Sequence, residues 1–95
     1  MIVKQASLLH NLSADFPRHI EPEKAAILAF MKSKKPRWHT GAKVDDLVTG
    51  AQTNIPLNAT ECGRWGWTSQ ELYHFERYDL SLKPEFVEFV LSQIA

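Results

Sequence analysis

Four histidines, one cysteine and a pair of adjacent aspartates are the side chains here that could do chemistry. A metal site would draw on His10, His19, His39, His74 and Cys62. No two of them stand as an i, i+4 pair, and neither CxxC nor HxxxH occurs, so no metal is expected. Cys62 would need an activating base and a positive surrounding to act as a nucleophile. Arg64 is near it in sequence, yet a lone cysteine before a glycine reads as a small buried hydrophobe. A His39/His74 pair could do acid–base work on a phosphate, but nothing in the spacing argues for it. Asp45 and Asp46 are neighbours, and adjacent carboxylates on a helix do not face each other. The chain is expected to be no enzyme and to carry no cofactor.

Two constellations suit binding instead. Lys32, Lys34, Lys35 and Arg37 are interleaved with Trp38 and His39 in the only basic run, residues 32–43. Cations beside an exposed aromatic make a phosphate-binding patch with a stacking platform. The other reading has these lysines serving the negative end of a helix while Trp38 plugs the core edge. The second constellation lies in Cys62–Leu80, where Trp65, Trp67, Tyr73, His74 and Arg77 crowd one helix and the turn before it. Aromatics and arginine dominate protein interfaces because they bury much area at low entropic cost. Glu61, Glu71, Glu76 and Asp79 ring them with negative charge, which suits a basic protein partner. The competing reading places both tryptophans in the core.

These side chains need elements to hold them. Apolar residues at Ile2, Leu8, Leu9, Leu12 and Phe16 share one arc of a helical wheel, predicting a helix over about 3–14, before Pro17. A second helix is predicted from Pro22 through Lys34, stopped by Pro36, with Glu21 and Glu23 at its positive end. Val44–Val48 followed by Gly50 reads as a short helix with a glycine cap, a strand being the alternative. Residues 51–63 read as a loop. Thr68-Ser69-Gln70-Glu71 matches the capping box and opens a helix with Leu72, Phe75 and Tyr78 on its core stripe. That leaves Tyr73, His74 and Arg77 on the outer face. A last helix starts at Pro84 and is apolar over more than half its circumference. The expectation is one all-α domain, residues 1–95, of four to five short helices, with room for a small β-hairpin in the irregular middle.

Composition sets the outer bounds. Ninety-five residues, 44% hydrophobic and 23% charged, suit one ordinary globular core. The longest apolar run, Ala25 to Met31, is far short of the roughly 20 residues a membrane span needs. The N-terminus shows no small-residue cleavage site, and a single cysteine fits a reducing cytoplasm. Net charge is zero but unevenly spread. Residues 1–43 hold eight Lys/Arg against three Asp/Glu, and residues 44–95 hold three against eight. Either the halves attract each other within the fold, or one charged face meets a partner.

The segment WGWTSQELYHFERYDLSLKPEFVEFVL, Trp65 to Leu91, resembles the small single-domain immunity proteins that bacteria pair with secreted toxins, including those of contact-dependent inhibition. It covers under a third of the chain. Such proteins plug the toxin's active site or an adjacent exosite, often with acidic side chains; those directed at nucleases are commonly net acidic, and this chain is neutral. The expected function is thus a cytoplasmic, protein-binding inhibitor that neutralises a toxin by direct binding through Trp65, Trp67, Glu71, Tyr73, His74, Glu76 and Arg77. The alternative is a small nucleic-acid-binding regulator that uses Lys32, Lys34, Lys35, Arg37 and Trp38. No membrane partner is expected.

Overall fold

Among the described residues seven elements follow one another: β1 (Lys4–Gln5), α1 (Lys24–Ser33), β2 (Trp38–Asp45), β3 (Gln52–Cys62), β4 (Trp65–Thr68), α2 (Ser69–Tyr78) and α3 (Pro84–Ile94). They come from a computed structural model that describes the backbone of residues 4–5 and the whole of residues 13–94. Strands β2, β3 and β4 are antiparallel, β1 joins β4 in parallel, and the sheet order is β1-β4-β3-β2. The domain is therefore mixed α/β. The all-α, helical expectation is corrected: among the described residues three helices pack with a sheet.

The correction has local causes. Lys4 and Gln5 pair with Trp65 and Gly66 as strand, and Ser13 and Ala14 are not helical. The remainder of the helix expected over 3–14 lies outside the described residues. Val44 and Asp45 end β2 rather than starting a helix, and residues 46–51 make the turn into β3. There the Asp46 N–H donates to the Ala51 carbonyl at 2.8 Å, and the Gly50 N–H donates to the Asp46 carbonyl at 2.8 Å. The expected loop 51–63 is mostly β3. Its proline is tolerated because Pro56 faces Lys43 where the ladder is irregular. Between His39↔Asn58 and Lys43↔Pro56, β2 spends three residues against one in β3. Gly41, at φ 80°, takes the left-handed conformation inside that bulge.

β4 organises the core. Alternation on a strand sends Trp65 and Trp67 to the same face, where both are buried. Phe86 of α3 meets both rings, with centroids 5.2 Å from Trp65 and 5.6 Å from Trp67. Phe89 adds contacts with Trp65 and Phe30. Ile27, Phe30 and Met31 of α1, Phe75 of α2, and Val90 of α3 complete the cluster, with Phe16, Leu80 and Leu82 sealing it. Burying each such side chain stabilises by about 1.5–3 kcal/mol. The turn from β3 to β4 keeps Gly63 at φ 63°; a Cβ there would sit 3.4 Å from the Phe89 ring.

Helix ends follow the sequence more closely. Thr68 caps α2 with both halves of the capping box formed. α1 begins at Lys24 with Glu23 as its N-cap, and it stops at Ser33 because Lys34 is extended. α3 starts at Pro84. Among the described residues no helix is long and apolar enough to cross a membrane.

Candidate functional site

Helix α2 grips the β2–β3 turn with four side chains. Gln70 accepts the Asp45 N–H at 3.0 Å and returns its amide to the Asp45 carbonyl at 2.7 Å, imitating a strand partner. Tyr73 and Tyr78 donate their hydroxyls to Oδ2 of Asp46 at 2.6 and 2.5 Å. His74 accepts the Leu47 N–H on Nε2 at 3.0 Å, and its Nδ1 lies 2.7 Å from the Gln70 carbonyl. An N–H donor on one ring nitrogen and a carbonyl on the other select the tautomer protonated at Nδ1. Three successive residues, 45 to 47, are thus held by one helix, the outer two through their backbone and Asp46 through its carboxylate.

Asp46 is the centre of this clamp and is only 4% exposed. Its Oδ1 accepts the N–H groups of Val48 and Thr49, each at 2.9 Å, which shapes the turn. Desolvation by burial pushes its carboxyl upward, but the hydroxyls of Tyr73 and Tyr78 and the N–H groups of Thr49 and Val48 outweigh it. The Asp46 carboxyl is held well below the usual carboxylate range. Hydrogen bonding to Asp46, followed by desolvation, pushes both phenols up. Arg77 is close enough to Tyr78 to oppose that rise. Both Asp46 oxygens and both His74 nitrogens are engaged within the fold. The cluster fastens the hairpin to the helix.

The residues expected to bind a partner separate into two groups. Trp65 and Trp67 are 7% and 3% exposed, and Glu71 and His74 are 6% and 0% exposed. All four lie inside the fold, out of reach of a docking protein. Tyr73 is half-buried against Asp46, while Glu76 and Arg77 are exposed. The wheel for α2 misplaced His74 because this helix is covered twice, by the core on one side and by the turn on the other. Glu71 is buried through its capping role: Oε1 takes the Thr68 N–H at 3.1 Å. Its Oε2 has no hydrogen-bond partner among the described residues.

The basic run is also redistributed. Lys32 pairs with Glu76 at 2.5 Å, and Arg37 meets Glu61 at 3.4 Å. Lys34 lies over the Phe30 ring. Lys35 is exposed, and so is Trp38, which is 51% exposed with Arg37 stacked 5.3 Å from its centroid. Lys24–Asp79, at 2.7 Å, is the other Lys/Arg pair among the described residues. Each of the three joins the basic first half to the acidic second half, so the two halves do attract each other within the fold. Among the described residues no three His, Cys, Asp or Glu side chains gather as a metal site would require.

The sequence left room for a small hairpin in the irregular middle; the hairpin of β2 and β3 is longer than that, eight residues against eleven, and its docking on α2 was not foreseen. Its strand β2 is the sheet edge, and seven of its eight residues are exposed. Trp38, Val48 and Ile55, three of the five exposed large hydrophobics among the described residues, lie on it or its turn. The one available sequence signal was Asp46-Leu47-Val48-Thr49-Gly50, an aspartate-to-glycine turn pattern between β-branched residues. No family model, no curated protein and no solved structure matches this chain.

Proposed function

We propose that this chain is a protein-binding inhibitor of the toxin-immunity kind, acting in the cytoplasm, and that it engages its partner through the β2–β3 hairpin. The observation that carries this reading is the exposure of Trp38, Val48 and Ile55 on a hairpin that α2 holds rigidly in place. Exposed aromatic and aliphatic side chains on a fixed scaffold supply contact area at low entropic cost. The α2 surface first expected to bind retains only Tyr73, Glu76 and Arg77 at or near solvent. The resemblance over Trp65–Leu91 supports the inhibitor class but lends it no surface, since its tryptophans are core. A hairpin inserted into a toxin's active site or exosite is the corresponding mechanism.

The nucleic-acid reading keeps Trp38, Lys35, His39 and Lys43 as exposed groups on or beside β2. It is the weaker one, because Lys32 and Arg37 are matched by Glu76 and Glu61, and exposed Ile55 and Val48 serve no phosphate backbone. Affinity capture from the source cell tests both. The wild-type chain and an Arg77→Ala control should retain the same protein, and a Trp38→Ser/Ile55→Ser chain should lose it. Single-strand binding at low salt that falls steeply with added salt would instead favour the nucleic-acid reading.

A further inference from the structure

Beside the clamp, Arg18, His19, Ile20, Arg77, Tyr78 and Asp79 line an open groove of about 380 Å³. Two of these six side chains are guanidinium groups, and they converge on one tyrosine. Arg18 lies 5.5 Å from the Tyr78 ring centroid and 5.0 Å from that of Phe16. Arg77 adjoins the Tyr78 hydroxyl and stands 5.9 Å from the Tyr73 ring centroid. Stacking on aromatic faces orients a guanidinium without consuming its hydrogen-bond donors.

The local charge is not balanced within the groove. The ion pairs among the described residues are His19–Glu21, Lys24–Asp79, Lys32–Glu76 and Arg37–Glu61, and neither Arg18 nor Arg77 belongs to one. Asp79, the one carboxylate lining the groove, has its Oδ1 taken by Lys24 at 2.7 Å. Asp46 lies behind the two phenols and is saturated by them and by two N–H groups. The His19 ring is 61% exposed on the same wall. Like charges brought together without a counterion repel, and a doubly charged oxyanion between them removes that cost. Ile20, 77% exposed at the rim, offers an apolar surface to whatever carries the anion.

We propose that this groove binds a phosphate monoester, its dianionic head held by the forks of Arg18 and Arg77 and its apolar body laid against Ile20. A forked guanidinium matches phosphate geometry with two parallel hydrogen bonds, and two of them match its second charge. The groove shares no residue with the hairpin surface, so this site and the proposed protein-binding function stand or fall separately.

Titration with phenyl phosphate, benzoate and inorganic phosphate, followed by NMR of the arginine side chains and the His19 ring, tests the assignment. Phenyl phosphate should shift the Arg18, Arg77 and His19 signals and bind more tightly than the other two probes. Arg18→Gln and Arg77→Gln should each weaken it about tenfold or more, the loss of one charge-assisted pair. Arg77→Lys, which keeps the charge but not the fork, should recover only part of the affinity. Both arginines are exposed, so an unchanged thermal midpoint identifies a loss as one of binding. Equal binding by the wild type and both Gln variants overturns the site. Benzoate binding as tightly as phenyl phosphate overturns the phosphate assignment.

Discussion

The hydroxyl of Tyr78 donates to the carboxylate of Asp46 at 2.5 Å, across 32 positions of sequence. Tyr73 donates to the same oxygen at 2.6 Å. Through this convergence a helix that follows the sheet in sequence fixes the turn of a hairpin that precedes it.

Asp46 should give the stability of the fold a distinct acid limb. A carboxylate held below its unfolded value of 3.8 stabilises fully above that pH, and its contribution is lost as pH falls toward the folded value. Asp46→Asn should lower the urea midpoint at about pH 6, and the gap from the wild type should narrow below pH 3.8. Asp45→Asn, at an exposed position, should leave the midpoint almost unchanged. A gap that stays constant across the acid range would assign the clamp's stability elsewhere.

The alkaline limb belongs to the phenols. Tyr73 and Tyr78 are the chain's two tyrosines, and Asp46 raises both above the ordinary value of 10.0. Their contribution is present below pH 10.0 and declines as pH rises through the folded values. Ultraviolet titration of the native protein should therefore show no tyrosinate until above pH 10.0, and Asp46→Asn should move its onset down. Ordinary phenol titration in the native wild type would be incompatible with the clamp.

Glu71 and Glu76 should respond very differently to charge reversal. Thr68→Ala, which removes one half of the capping box, should cost about 1 kcal/mol. Glu71→Lys puts an ammonium where a carboxylate is 6% exposed, so the chain should fail to fold. Glu76→Lys breaks one exposed pair with Lys32 and should cost about 1 kcal/mol or less. Circular dichroism melts of the three variants separate these outcomes.

The three tryptophans should behave as two populations. Trp65 and Trp67 are sealed by Phe86, and Phe86→Ala should cost about 3–5 kcal/mol. Trp38→Ala should change stability by about 0.5 kcal/mol or less. A soluble quencher should reach one tryptophan in the wild type and none in Trp38→Ala. If Trp38→Ala melts as low as Phe86→Ala, Trp38 is a core residue.

How much of this was legible depends on where each element gets its stability. The capping box of α2 and the start of α3 at Pro84 are written locally, and both are formed. The hairpin is not. β2 reads Trp-His-Thr-Gly-Ala-Lys-Val-Asp and is exposed at seven of its eight residues, so burial imprints no alternation on it. β3 carries Pro56, Asn54 and Asn58, poor strand formers whose pairing comes from β4, β2 and the Ser69 hydroxyl. His74 read as outer because the wheel knows only one buried face, and the second face exists only once the turn has docked. Trp65 and Trp67 carried a strand's two-residue spacing, which an aromatic-surface reading passed over. The opposed charges of the two halves were readable, and three ion pairs now join them.

Capture of a partner by the double variant Trp38→Ser/Ile55→Ser, beside the wild-type chain, tests the functional account most directly. The thermal midpoint should stay within a few degrees of the wild type, about what a surface change produces. With the fold intact, the partner retained by the wild type should be absent from the variant. A variant that melts normally and still retains the same partner would contradict a binding function for the hairpin.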